Sequence, residues 1–156
     1  MAKKYMGIIV WSLVALAVVI FIFANSIAGI EASGDFSSGF AEVLYKLASR
    51  IVSLSFDEFH VLVRKVAHFT EFAALGASVW MISWSAQKLC GKLHVALVFL
   101  VSLAVAVTDE FIQSFTGRGS AVPDVVLDFA GSVFGILVTA AIVYLIKIKK
   151  QPSKPM

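Results

Sequence analysis

A single cysteine among 156 residues, Cys90, excludes an intramolecular disulfide. Charge is also scarce: charged residues make up 15% of the chain against 60% hydrophobic, and the mean hydropathy is +0.92. That balance excludes an ordinary soluble domain. Residues 5–26 carry no charge, no proline interrupts Ile27 to Ser55, and no repeat or low-complexity tract is present. Acids are absent from one entire side of the chain's hydrophobic layout. The formal net charge of +3 averages a basic face and an acidic one, so it gives no support to a nucleic-acid partner.

What is abundant is long apolar sequence. Four stretches, about 5–26, 61–85, 93–115 and 123–146, suit helices crossing a hydrocarbon layer of ~30 Å, which takes roughly 20 residues. In lipid their backbone groups have no water to bond, so helices are required. The expected fold is an all-α bundle of four transmembrane helices, one domain over residues 1–156. Lys3, Lys4, Lys88, Lys92, Lys147, Lys149, Lys150 and Lys154 fall on one side. The positive-inside rule makes that side the cytoplasm, with both termini inside. All ten acids fall toward the other side, with Lys46, Arg50, Arg64, Lys65 and Arg118.

The N-terminus resembles a secretory signal in its Lys3-Lys4 start and in Ser26-Ile27-Ala28, a run like a cleavage site. The apolar run from Gly7 to Ala24 outlasts the roughly 7–15 residues of such a core, which favours a retained span. In the outer segment, Phe36, Phe40, Val43, Leu44, Leu47 and Ile51 recur at helical spacing. They predict an amphipathic helix over about 36–52, lying in the outer interface or capping the bundle. Ser55 and Glu58 fit a capping box that starts the second helix near Phe56. Pro123 fits the first turn of the last.

The chemistry-bearing residues gather at the outer ends. Arg64, His68 and Glu71 share a face of the second helix, and Asp109 and Gln113 share one on the third. Glu110 falls on another face of the third helix, where it is expected to meet water. Asp124 and Asp128 lie four apart on the fourth, and Gly131 and Gly135 form a GxxxG packing pattern. Lys65 either snorkels or binds; Arg64 pairs with Glu71 or another acid, or holds a ligand. A salt bridge needs two charges, and this region has far more. His68, Glu71, Asp109, Asp124 and Asp128 are candidate ligands for a hard divalent cation such as Mg²⁺ or Ca²⁺. Arg64 and Arg118 suit a phosphate.

Two blocks carry a family resemblance. The first is Arg64-Lys65-Val66-Ala67-His68-Phe69-Thr70-Glu71-Phe72, followed by Leu75-Gly76. The second is Asp109-Glu110-Phe111-Ile112-Gln113, then Gly117-Arg118, Asp124, Asp128, Gly131 and Gly135. In order and spacing they resemble the VanZ-like family of small bacterial membrane proteins, over roughly Phe23 to Val143. The resemblance implies a multi-pass protein of the bacterial inner membrane, and a functional cluster of Arg64, Lys65, His68, Glu71, Asp109, Glu110, Gln113, Arg118, Asp124 and Asp128. Its name-giving member confers teicoplanin resistance. Two positions depart from the family's pattern: Phe72 stands where tyrosine is common, and Asp128 where asparagine is frequent.

The expected function is a cell-envelope protein whose outer cluster binds a phosphate-bearing lipid, such as a polyprenyl phosphate or cell-wall precursor. An enzyme acting on such a lipid is the alternative, since the carboxylates and His68 could perform acid–base chemistry. A small ion or proton-coupled transporter is a third reading, disfavoured because the inner halves of the spans hold few ionisable groups.

Overall fold

The computed structural model describes residues 2–27, 45, 55–116 and 121–149. Among these residues four helices run in order: α1 (Ala2–Ile27), α2 (Phe56–Cys90), α3 (Val95–Phe115) and α4 (Val122–Lys149). Among the described residues there is no strand. Three helices are long and apolar enough to cross a membrane: α1 from Tyr5, α3 and α4. The composition of α2 differs, because its outer half carries Asp57, Glu58, Arg64, Lys65 and Glu71. It packs against all three others, and its buried face is Phe59, Phe72, Leu75, Gly76, Ser78 and Ser83. Of the outer stretch 36–52, only Tyr45 lies within the described residues. Its ring sits 5.5 Å from Phe56 and 5.4 Å from Phe59, against the start of α2.

The ends of α2 are written in local chemistry. Ser55 Oγ accepts from the Glu58 backbone N–H at 3.4 Å, and Glu58 Oε2 accepts from the Ser55 N–H at 2.9 Å. These reciprocal bonds satisfy two donors that a helix start leaves orphaned. The Ser55 backbone N–H and hydroxyl, both donating to Glu58 Oε2, hold the Glu58 carboxyl below the usual carboxylate range. At the other end Gly91 takes φ 73°, a left-handed conformation that glycine adopts without steric cost, and its N–H reaches Gln87 O at 2.8 Å. The His94 N–H then donates to Ser83 Oγ at 3.0 Å, tying the short inner turn to α2. As a result α3 begins at Val95, two residues later than the apolar run predicts.

Burial is inverted relative to a soluble protein. Leu13, Ile20, Leu100, Leu137 and Leu145 are each more than half exposed, whereas Ser26, Ser102, Asp109 and Ser132 are fully buried. An apolar exterior of this extent, around a partly polar interior, suits lipid as the solvent. An apolar cluster inside the bundle joins Ile22, Phe72, Leu75 and Ala106, from α1, α2 and α3. Hydroxyls deep in the helices bond within their own turn, as Ser78 Oγ does to Ala74 O and Thr108 Oγ1 to Ala104 O, both at 2.7 Å.

The α2–α4 contact is built on small residues. A Cβ on Gly131 would come within 2.5 Å of Phe69 O, and one on Gly76 or Gly135 would press on the backbone of Ser132 or Ala73. Ser132 Oγ donates across this seam to Phe72 O at 3.1 Å. Close approach lets the two backbones pack directly, which in a membrane replaces the hydrophobic driving force that lipid removes.

Candidate functional site

The N-terminal ends of α2 and α4 and the C-terminal end of α3 enclose a cavity of about 20 Å³, room for a water molecule or a single ion. Arg64, Lys65 and His68 line it from α2, Glu110 and Gln113 from α3, and Asp124, Leu127 and Asp128 from α4. The spacing of four in α2 and in α4 turns each set toward the same side.

Asp109 is the most enclosed of the acids among the described residues, with no solvent exposure. One of its oxygens accepts from Ser26 Oγ at 2.6 Å and the other from Gln113 Nε2 at 2.8 Å. Gln113 Nε2 also lies 3.4 Å from Ser26 Oγ, and Thr116 Oγ1 donates to Ser26 O at 3.1 Å. The end of α1 is thereby fastened to α3 through one carboxylate. Asp124 pairs with Lys65 Nζ at 2.7 Å across α2 and α4. Both are partly exposed, so the pair is worth at most about 1 kcal/mol. Arg64 is exposed and makes no ion pair among the described residues.

Glu110 does not face water. It is 5% exposed, and its Oε2 accepts the Ala121 N–H at 3.0 Å. The expectation that Glu110 meets water failed because the segment leading into α4 covers it, and Glu110 lines the cavity with Gln113. Glu71 also reaches toward α1. Its Oε1 accepts from Asn25 Nδ2 at 3.1 Å, and it borders an apolar groove of about 510 Å³ with Val14, Val18, Phe21 and Ala74. Glu71 therefore contacts α1, and Arg64 and His68 line the cavity. Arg118 lies outside the described residues.

Of the five candidate metal ligands, three come together. One ligand atom each from His68, Asp109 and Asp128 lies within 4.8 Å of the others. Glu71 turns to Asn25 and Asp124 to Lys65, leaving both outside this group.

With this geometry in place, the comparison with known families is decisive: the family described as VanZ/LLP1 matches residues 11–145. The chain belongs to the VanZ/LLP1 family. The match runs from the first turns of α1 nearly to the end of α4 and takes in every residue of the outer cluster. Neither curated proteins nor solved structures provide a match. In this VanZ/LLP1 chain the sequence reading missed two site residues, Asn25 and Ser26. Their signal was present: they are an adjacent polar pair closing an otherwise apolar span, at the depth where the acids of the other helices cluster. Reading Ser26 as part of a cleavage-like run obscured its role as the donor to Asp109.

Proposed function

We propose that this VanZ/LLP1 protein acts in the cell envelope from the bacterial inner membrane, where its outer mouth binds the phosphate of an anionic lipid. A polyprenyl phosphate or a lipid-borne cell-wall precursor is the chemical class. The protein crosses four times, with α2 as the fourth span and both termini cytoplasmic; the one-sided lysines support this orientation. The observation that carries the reading is Arg64. It is an exposed guanidinium at the rim of a polar cavity, without an ion pair among the described residues, and its fork geometry matches phosphate.

Three of the four acids beneath have partners, and Asp128 alone has none among the described residues. Asp124 is neutralised by Lys65, Glu110 accepts a backbone N–H, and Asp109 accepts two side-chain donors. The enclosed space is too small for a head group, so the phosphate rests at the mouth and the lipid chains lie along the apolar exterior. Teicoplanin resistance would follow from altering what the drug meets at the outer surface. In a sensitive host the wild-type chain is expected to raise the inhibitory concentration of teicoplanin. Arg64→Ala, at equal membrane level, loses that protection. Equal protection by both would remove Arg64 from the function, and protection by neither would remove the resistance reading.

A further inference from the structure

We infer that His68, Asp109 and Asp128 form a site for one divalent first-row cation of the Mn²⁺ or Zn²⁺ type. The site goes beyond the lipid reading and does not depend on it. Its three donors come from three different helices, α2, α3 and α4, so only the assembled bundle brings them together. Two donors bound about 2.0–2.2 Å from one metal ion lie no more than about 4.4 Å apart. The three atoms here are within 4.8 Å of one another, so small side-chain shifts close them on a single ion.

Two further observations point to a ligand. Asp128 is 2% exposed, borders the cavity, and has no hydrogen bond or ion pair among the described residues. A buried carboxylate left in that state is costly, and the cations nearby do not relieve it: Lys65 is held by Asp124, and Arg64 is exposed. The adjoining space of about 20 Å³ has room for one ion. Asp109 is pre-set differently. Ser26 and Gln113 hold its two oxygens, the kind of outer support that orients a metal-binding carboxylate.

The donor set also selects the metal. Ca²⁺ takes six to eight oxygens, and Mg²⁺ keeps mostly waters with few protein ligands. One imidazole nitrogen with two carboxylates suits a divalent first-row ion such as Zn²⁺ or Mn²⁺ better than Ca²⁺ or Mg²⁺, the ions expected from sequence. Three protein donors leave positions open for water or an anion.

The test uses full-length protein purified in mild detergent, stripped with a chelator and titrated with Mn²⁺ or Zn²⁺ alone, without added lipid. Binding is read by electron paramagnetic resonance for Mn²⁺ and by bound-metal analysis for both. Wild type is expected to bind one ion per chain and to unfold at a higher temperature when loaded. Asp128→Asn keeps the side-chain shape and should weaken binding roughly tenfold or more while the metal-free protein stays folded. His68→Gln should do the same, and Asp57→Asn, on an exposed turn, should bind as wild type does. Absence of saturable binding in folded wild type, or unchanged affinity in Asp128→Asn, would overturn the site. Lipid binding does not enter either readout, so failure here leaves the Arg64 reading to its own test.

Discussion

Asp109→Ala is expected to lower the unfolding free energy of the bundle by about 2 kcal/mol, with Asp109→Asn costing about half as much. Alanine leaves Ser26 Oγ and Gln113 Nε2 buried without their shared acceptor. Each lost bond to a charged acceptor costs ~1.5–3 kcal/mol in soluble proteins, but interhelical bonds in membranes average nearer 0.6 because the unfolded chain in lipid finds other partners. Relief of repulsion between Asp109 and Asp128 offsets part of the loss. Asparagine retains an acceptor for Ser26 and loses only the match to Gln113. Denaturing-detergent titration of the solubilised chain measures the difference. An Asp109→Ala midpoint equal to wild type would show that α1 is not fastened to α3 through this carboxylate.

The second large effect lies at the α2–α4 seam. Gly135→Ala is expected to cost about 3 kcal/mol, the upper end of overpacking, because its methyl group meets the Ala73 backbone and no side chain can rotate away. Gly76→Ala, against Ser132, should behave alike. Gly7→Ala is the contrast: its Cβ would lie 3.0 Å from Ser85 Oγ, the end of a side chain that can turn, so the same titration should show under about 1 kcal/mol. Equal costs at Gly7 and Gly135 would contradict a backbone-to-backbone contact.

Much of the architecture was legible because it rests on local rules. The capping box at Ser55 and Glu58 marks the start of α2 within a residue, and Pro123 falls in the first turn of α4. The hydrophobic runs locate the helices, and Gly131 with Gly135 shows where one of them is narrow. Partner choice was not legible, since spacing along one helix says which residues share a face and nothing about what covers it. Glu110 illustrates this: its burial beside Ala121 depends on how α3 and α4 meet. Arg64, His68 and Glu71 share a stripe, and only the bundle shows that Asn25 of α1 donates to Glu71 while residues of α3 and α4 meet Arg64 and His68 around the cavity. The pairing of Lys65 with Asp124 spans 59 positions of sequence and has no local signature.

The central claim, that the outer mouth is a phosphate-binding surface, is tested most directly by binding. Purified full-length wild type and Arg64→Ala would be titrated with a polyprenyl phosphate in mild detergent, with an uncharged polyprenol as the control. The account predicts saturable binding by wild type, weakening as salt rises. It predicts a Kd roughly tenfold higher or more for Arg64→Ala, the loss of one charge-assisted contact, and no preference for the polyprenol by either. Equal affinity of the two proteins, or equal affinity of wild type for the phosphate and the alcohol, would contradict it.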